Sequence, residues 1–351
     1  MAHIGAGPVR ESDLWPALRQ YWHPVAFSEE VADRPLAVRL LDERLAVCRM
    51  GGRVTAFRDL CVHRGTPISL GWIDGETVVC AYHSWAYRVD GQCVRIPSLP
   101  PEHSIPKKAC LTAYLAEERY GLVWVCLSAE PRAPIPEFPA FEDPHYRVFF
   151  RQKKLWRCSA ARSMENFVDQ ANFAWVHEGI LGDRSHSLAP EIHVERHGEE
   201  LRFWFDNIPD RLHPVSHRRN YRLTRPYCLC QWKEEPGGRT EAYFYVCTPH
   251  SAKESTRYLI VARNYDLEAP EILHGPIIIK DKEAMASSKA LDPLTIKRIK
   301  AMDTIADQDQ AIVENQRPEE LPLDLAEELH LKGPDAIAIE YRRMMKELGV
   351  D

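Results

Sequence analysis

Two short segments of the chain each pair a cysteine with a histidine. Cys61 and His63 form the first pair, Cys80 and His83 form the second, and 16 residues separate His63 from Cys80. Two thiolates and two imidazoles can hold a [2Fe–2S] cluster, with the cysteines on one iron and the histidines on the other. Structural zinc sites usually pair cysteine with cysteine along the chain, whereas here the two types alternate. The spacing therefore favours an electron-carrying cluster, with zinc and chance occurrence as the alternatives.

Short strands separated by glycine turns are predicted around these segments. Residues 36–60 alternate between apolar and polar types, and Gly51 and Gly52 form the turn of a hairpin. Three further strands are predicted at 77–80, 86–89 and 122–127. This pattern indicates a small antiparallel β domain that carries the cysteine–histidine loops at its tip.

A proline-rich stretch divides the chain. Residues 131–144 contain five prolines, which we take to exclude a regular element and to mark a linker. The length of 351 residues is typical of two domains. We therefore expect a first domain over residues 1–145, which includes the N-terminal segment and the linker, and a second over residues 146–351.

The second domain mixes predicted helices and strands. Helices are expected over 162–177, over 281–316 with an apolar stripe, and over 336–348. Strands are expected within 191–262. Helices packed on an antiparallel sheet give an α+β fold.

Composition limits the classes of function. The chain is 45% hydrophobic and 27% charged, and its net charge of −6 gives no reason to expect nucleic-acid binding. We see no signal peptide and no stretch of about 18 apolar residues, so no membrane association is expected. Ten cysteines are present. Without a secretion signal, we expect those outside the two pairs to be reduced thiols and the protein to be cytoplasmic.

The chain resembles the Rieske non-heme iron oxygenases, specifically the type built from α subunits alone. The resemblance extends over the cysteine–histidine loops and over four further segments: 118–125, 177–183, 309–316 and 341–343. The chain most resembles oxygenases that hydroxylate the saxitoxin skeleton, and it resembles caffeine N-demethylases more distantly. The resemblance implies a Rieske [2Fe–2S] domain with Cys61, His63, Cys80 and His83 as ligands. It also implies a START-like catalytic domain with mononuclear Fe(II), which uses O₂ as cosubstrate.

In that family the second iron is held by two histidines and a carboxylate. The helix motif N-x2-D-x2-H-x4-H reads here as Asn166, Asp169, Asn172 and His177. The resemblance implies His177 as one ligand, and implies Asp309 as the carboxylate because D-x4-E-x-Q begins there. Asp307 is the competing carboxylate.

Asn172 stands where the family has a ligand histidine. Three explanations remain open: Asn172 binds iron through its amide oxygen, the site is natural but silent, or the asparagine is an introduced substitution. The resemblance also implies that Asp169 connects the ligand at position 172 to the cluster ligand His83 of a neighbouring subunit, and it makes Asn166 a further catalytic residue.

The resemblance implies a terminal oxygenase within a head-to-tail homotrimer, with electrons from a flavin- and iron–sulfur-containing reductase that uses NAD(P)H. We expect hydroxylation or N- or O-demethylation of a small, largely apolar or polycyclic molecule, since no carboxylate-binding arginine stands out. The alternative is a non-catalytic electron-transfer subunit. The predicted pocket consists of residues on the central strands: Phe203, Phe205, Tyr227, Cys230, Trp232, Tyr243 and Tyr245.

Overall fold

The computed structural model of the protein describes residues 9–206, 216–235, 237–267, 272–274 and 293–349. The chain divides into two compact units. We call residues 15–135 the N-terminal unit, and residues 1–14 together with 136–351 the C-terminal unit. The structure therefore moves two segments, 9–14 and 136–145, out of the first domain that the sequence predicted. One reason is that Glu11 hydrogen-bonds within the C-terminal unit.

The N-terminal unit contains two antiparallel sheets, as the strand pattern predicted. One has six strands in the order β1-β10-β9-β4-β3-β2, and the other has four in the order β5-β6-β7-β8. The elements are α1 (Trp15–Leu18), β1 (His23–Phe27), β2 (Leu36–Leu40), β3 (Glu43–Met50), β4 (Arg53–Arg58), β5 (Trp72–Asp74), β6 (Thr77–Val79), β7 (Ala86–Tyr87), β8 (Cys93–Arg95), β9 (Ala113–Arg119) and β10 (Leu122–Cys126). The four cysteine and histidine candidates lie in the loops after β4 and β6.

The C-terminal unit is built on one eight-stranded sheet, so the expected α+β class is confirmed. Its order is β12-β13-β14-β15-β16-β17-β11-β18, and every pair is antiparallel except β11 with β18. The strands are β11 (Arg147–Trp156), β12 (His193–His197), β13 (Glu200–Asp206), β14 (Arg218–Thr224), β15 (Cys228–Glu235), β16 (Arg239–Ser251), β17 (Glu254–Arg263) and β18 (Ile272–His274). The helices are α2 (Pro139–Glu142), α3 (Ala160–Phe167), α4 (Pro293–Val313) and α5 (Ala336–Lys346).

The helix predicted over 162–177 is helical only up to Phe167. Ser159 caps α3 by accepting a hydrogen bond from the backbone N–H of Arg162, and α3 ends at Phe167. Beyond it, the Asp169 carboxylate accepts the backbone N–H of Ala171 at 2.8 Å, which offers the chain a turn instead of a further helical bond. Asp169 and Asn172 therefore lie in turns beyond α3 and not within the predicted helix.

Two other predicted elements also differ from the structure. The proline-rich stretch contains one helical turn, α2, because Pro139 occupies a first-turn position where its missing N–H costs nothing. The long helix predicted over 281–316 is observed as α4 over Pro293–Val313, and residues 281–292 lie outside the described part of the chain.

Among the described residues, no helix is long and apolar enough to cross a membrane. All ten cysteines are free thiols.

Glu11 is a buried carboxyl at the start of α3. It accepts hydrogen bonds from the backbone N–H of Ala161 at 3.0 Å and from the Tyr227 hydroxyl at 2.5 Å. Burial raises the pKa of Glu11 to about 7, although these hydrogen bonds oppose the rise. Because the folded protein holds this proton more tightly than the unfolded chain, the stability from Glu11 is complete below the ordinary pKa of 4.5. It is lost as the pH rises through about 7.

We expect the titration of Glu11 to lower the free energy of unfolding by about 3 kcal/mol as the pH rises from 5 to 8. Glu11→Gln should remove most of that pH dependence, because the amide does not titrate. Urea unfolding at four pH values in this range measures it. Glu327→Gln, which changes an exposed partner of Arg10, is the control and should keep the wild-type slope. Equal slopes for Glu11→Gln and the wild type would refute the assignment.

Candidate functional site

The two cysteine–histidine loops of the N-terminal unit have the same backbone hydrogen bonds. In the first, Cys61 N–H donates to the Thr66 carbonyl at 2.8 Å and the Cys61 carbonyl accepts from Gly65 at 2.9 Å. In the second, Cys80 N–H donates to the Trp85 carbonyl at 2.9 Å and the Cys80 carbonyl accepts from Ser84 at 3.0 Å. Each loop thus closes on its own cysteine, which presents the cysteine and the histidine from one rigid turn.

Both loops need a residue in the left-handed region at the same place. Gly65 has a φ of +72° and Ser84 a φ of +56°, and each lies four residues after the loop's cysteine. Glycine adopts this conformation freely, whereas serine does so at some cost. The two loops therefore share one backbone conformation at this place.

The four side chains converge as a cluster requires. The Nδ1 atoms of His63 and His83 lie 3.1 Å apart, and burial together with the neighbouring Cys61 thiol raises the pKa of the Cys80 thiol. The Tyr87 hydroxyl lies 3.2 Å from the Cys61 Sγ. Two nitrogens and two sulfurs gathered in pairs fit the donor set of a [2Fe–2S] cluster with mixed ligands.

The electrostatics of this site keep an imidazole available as a ligand. Partial burial, His83 and Arg64, in that order, lower the pKa of His63. A neutral imidazole has the lone pair that a metal needs. The His63 ring also stacks on Trp85 with the ring centroids 4.4 Å apart, which fixes its orientation.

The second candidate site is a cavity inside the C-terminal unit. Alternate residues of four neighbouring strands form one wall: Arg219 and Tyr221 on β14, Gln231 and Lys233 on β15, Tyr243 and Tyr245 on β16, and Arg257 and Leu259 on β17. One face of α4 forms the opposite wall with Arg298, Met302, Ile305 and Asp309, spaced three or four residues apart. The end of α3 and the turns after it complete the lining with Asn166, Asn172 and His177.

His177 and Asp309 meet in this cavity, although 131 residues separate them. The Nε2 of His177 lies 3.0 Å from the Oδ1 of Asp309, and both side chains are buried. The Nδ1 of His177 lies 2.9 Å from the Oε1 of Gln308, to which it donates. Burial lowers the pKa of His177, but the hydrogen bonds to Asp309 and Gln308 outweigh it and raise the pKa above its ordinary value. Gln308 thus directs Nε2 toward the carboxylate.

Asn172 supplies a third oxygen, which has no partner among the residues that the structure describes. Its Oδ1 is buried and accepts no hydrogen bond from the described part of the chain, and the same is true of the Oδ1 of Asn166. Asn166 donates through Nδ2 to Asp309 at 3.2 Å. Buried polar atoms are nearly always satisfied, so an orphan amide oxygen beside His177 and Asp309 fits a metal at this point.

The donor set is nevertheless reduced by one strong ligand. Within the described ranges, no group of three His, Cys, Asp or Glu side chains surrounds a point where an ion would sit. At the cysteine–histidine loops, the four donors would be divided between two irons. In the cavity at Asp309, Asn172 would be the third ligand after His177 and Asp309. The residues therefore fit a mononuclear metal held by one imidazole, one carboxylate and one amide.

Asp169 lies in a second, polar cavity on the other side of Asn172. Asn172 and Asp309 line both cavities. Burial raises the pKa of Asp169, against hydrogen bonds from the backbone of Ala171 and Asn172. Asp307, the competing carboxylate, points away from the site and pairs with Lys154 at 2.5 Å.

Only part of the predicted aromatic pocket lines the cavity at Asp309. Tyr243 and Tyr245 do so. Phe203 and Phe205 stack on Tyr221 one strand further out, with ring centroids 4.5 and 5.6 Å from it. The remaining three predicted residues lie elsewhere: Cys230 and Trp232 line a cavity on the opposite face of the sheet, and Tyr227 bonds to Glu11.

The sequence reading missed Gln308 and the charged part of the wall. Gln308 directly precedes Asp309, and its position beside a proposed ligand was the only available signal. Arg219, Lys233, Arg257 and Arg298 belong to strands or a helix whose facing direction depends on pairing with distant segments. Their meeting is a property of the folded sheet.

Comparison with protein families divides the chain in the same way. Residues 21–114 match the Rieske [2Fe-2S] domain, and residues 156–351 match the vanillate O-demethylase oxygenase C-terminal domain. The second match alone covers more than half of the chain.

Known proteins are similar to this chain over nearly its whole length. The methylxanthine N1-demethylase NdmA of Pseudomonas putida is 30% identical over 94% of this chain and 89% of its own. Its structure with caffeine superposes with a TM-score of 0.81, at 29% identity and over 96% and 93% of the two chains. Dicamba monooxygenase with dicamba shares the fold at 20% identity, with a TM-score of 0.77 over 95% and 98% of the chains. The chain therefore belongs to the Rieske non-heme iron oxygenases, as a terminal oxygenase that uses a [2Fe–2S] cluster, a mononuclear iron and O₂ to oxidise a small molecule.

Proposed function

We propose that this oxygenase removes a methyl group from a nitrogen or oxygen atom of a small aromatic molecule. Hydroxylation of the methyl carbon consumes O₂, two electrons and two protons, and yields water and a hydroxymethyl group that leaves as formaldehyde. The N-demethylase relatives and the vanillate O-demethylase type of the C-terminal domain support this choice over ring hydroxylation.

One observation carries the proposal: His177, Asp309 and the orphan oxygen of Asn172 meet in a cavity that has aromatic side chains in its wall. We assign these three residues as ligands of Fe(II), which supplies the activation of O₂ when it is bound. Gln308 holds the imidazole of His177, and Asn166 holds the carboxylate of Asp309. Tyr243 and Tyr245 place an aromatic surface beside these ligands for the substrate.

We assign Cys61, His63, Cys80 and His83 as the cluster ligands, and a homotrimer as the working assembly. In it, Asp169 of one subunit would face His83 of the next. Exposed apolar side chains support a protein contact at both places. Val62 and Tyr82 are 45% and 63% exposed beside the cluster loops, and Ile312 and Leu329 are 50% and 89% exposed at the cavity of Asp169.

Electrons in this proposal come from NAD(P)H through a reductase that contains flavin and an iron–sulfur centre. A reduced cytoplasmic location agrees with the eight remaining cysteines, which are free thiols.

Formaldehyde release tests the proposal. Protein loaded with cluster and Fe(II) is mixed with NADH, an iron–sulfur flavoprotein reductase and a panel of N-methyl and O-methyl aromatic compounds. We expect one formaldehyde for each NADH oxidised with at least one compound, and none when the reductase is omitted. A hydroxylated product without formaldehyde would replace demethylation by hydroxylation. Absence of any oxidised product across the panel would favour the non-catalytic subunit.

A further inference from the structure

Phe173 and Leu181 each line two cavities of the C-terminal unit. One is the cavity at Asp309, and the other, which we call the outer cavity, is also lined by Asp183 and Leu188. Leu188 is 87% exposed, so the outer cavity opens to solvent at that side chain. Phe173 and Leu181 therefore lie between a solvent-open cavity and the proposed iron ligands.

The cavity at Asp309 is too small for an aromatic substrate while these two side chains stay where they are. Its volume is about 90 Å³. An apolar cavity that takes up benzene, by comparison, has a volume of about 150 Å³. The outer cavity has about 350 Å³ on the other side of Phe173 and Leu181. Binding of a methylated aromatic molecule therefore requires a lining side chain to move, and that side chain needs space behind it.

Some residues that line the cavity at Asp309 also border a neighbouring cavity: Asn166, Asn172, Asp309, Gln231, Phe173 and Leu181. The first three hold or support the proposed iron, so their displacement would break the site. Gln231 belongs to β15, which is paired with a strand on each side. Phe173 and Leu181 are apolar, lie in turns and bind no metal in the proposed site. They are therefore the side chains that can move without loss of the site.

Weak contacts hold the two side chains in their present positions. The guanidinium carbon of Arg219 lies 5.2 Å from the ring centroid of Phe173, and the ring centroid of His177 lies 6.4 Å from it. The backbone N–H of Leu181 donates to the carbonyl of His177 at 3.0 Å. A cation beside an aromatic face is a modest attraction, which a moving ring can give up.

Gly182 packs the turn of Leu181 directly against the backbone of Phe173. A Cβ atom at position 182 would lie 2.7 Å from the carbonyl carbon and oxygen of Phe173, which is closer than such atoms approach. The turn closes through a hydrogen bond from the Gly179 N–H to the Gly182 carbonyl at 2.8 Å. Glycine is therefore required at position 182, and Phe173 and Leu181 belong to two turns that contact each other.

We propose that Phe173 and Leu181 form a gate between the outer cavity and the cavity at Asp309, and that the width of this gate determines which aromatic substrates reach the iron. The inference rests on the proposed function, because the second site must hold iron and accept an aromatic molecule. The polar cavity is the competing route. Charged side chains such as Arg162, Glu165 and Asp335 line it, and an apolar ring gains little among them.

Removal of the mononuclear Fe(II) by chelators tests the gate without turnover. Protein loaded with cluster and Fe(II) is mixed anaerobically with 2,2′-bipyridine, a flat neutral aromatic molecule, or with ferrozine, a larger anion. Absorbance of the Fe(II) chelate follows removal, and acid-labile sulfide shows that the cluster stays intact. For the wild type, we expect the rate to rise with bipyridine concentration. With ferrozine it should be slower and independent of concentration, because this chelator waits for iron to leave.

Phe173→Ala should accelerate removal by bipyridine about tenfold or more, because opening no longer breaks the contact with Arg219. Leu181→Ala should also accelerate it, whereas Leu181→Phe narrows the gate and should slow it. None of these variants should change the rate with ferrozine. Trp175→Ala is the matched control, because Trp175 is an aromatic residue of the same segment that lines neither cavity. It should keep the wild-type rates.

Three results would overturn the gate. If a gate variant loses iron faster to both chelators alike, it has weakened the iron site. If Leu329→Ala, in the lining of the polar cavity, accelerates removal by bipyridine and Phe173→Ala does not, entry occurs through the polar cavity. Equal rates of the wild type with both chelators exclude a size-selective entrance, and this comparison needs no variant. A demethylation assay without product, beside gate-dependent removal of iron, would contradict the proposed function and leave the gate in place.

Discussion

Replacing Asp309 with alanine should remove the mononuclear iron, leave the cluster intact and lower turnover by more than about 100-fold. Asp309 is the one carboxylate in the described lining beside His177, and Asn172 contributes a neutral oxygen. Loss of the carboxylate leaves two neutral donors, which hold a divalent ion weakly. Changes to residues that merely support ligands already cost about 10- to 100-fold. Iron and acid-labile sulfide per chain, followed by formaldehyde release, measure the effect.

Asp307→Ala is the matched control for this experiment. Asp307 lies on α4 two residues before Asp309, but its side chain is 68% exposed and pairs with Lys154. Iron content and turnover should therefore stay at the wild-type level, since an exposed ion pair contributes little. If Asp307→Ala lost the mononuclear iron and Asp309→Ala kept it, the carboxylate ligand would be the other residue.

The cluster loops are the part of the molecule that the sequence predicts best. Cys61 and His63 lie in one tight turn, and Cys80 and His83 lie in another, so each pair is positioned by local hydrogen bonds. The ligand types and their spacing therefore contain most of the geometry. The left-handed serine at position 84 is the feature that spacing did not reveal.

The cavity wall was predicted poorly because a strand has two faces. Cys230 and Trp232 were predicted as lining, yet Gln231 and Lys233 line the cavity. Successive side chains on a strand point to opposite sides of the sheet, so an error of one residue selects the wrong face. The correct face follows from the pairing of Gln231 with Tyr243, which the sequence of one strand does not contain.

The charged part of the wall has the same origin. Trp156 ends β11 and Phe167 ends α3, and both pack against the guanidinium of Arg257 on β17. These contacts join segments that are distant in the sequence, so the residue types alone do not predict which charged side chains line the cavity.

At position 172, we expect the affinity of the second site for Fe(II) to decrease in the order histidine, asparagine, alanine. Asn172→His supplies an imidazole, a better donor to Fe(II) than an amide oxygen, and should tighten binding by about tenfold or more. Asn172 lines both cavities, so space exists on either side for the larger ring. Asn172→Ala removes the orphan Oδ1 and should weaken binding. Anaerobic Fe(II) titration of cluster-loaded protein measures all three.

Asn166→Ala is the matched control, because it also removes an amide side chain from the same cavity. Asn166 donates to Asp309 at 3.2 Å and is not assigned as a ligand, so its loss should weaken iron binding less than the loss of Asn172. Equal affinities of the asparagine and alanine forms at position 172 would mean that Asn172 does not bind iron. If the histidine form then gained iron and turnover, the wild-type protein would have an oxygenase site that lacks only the ligand at position 172. If it gained neither, the non-catalytic reading of the C-terminal unit would stand, because the surroundings of position 172 would no longer support a metal.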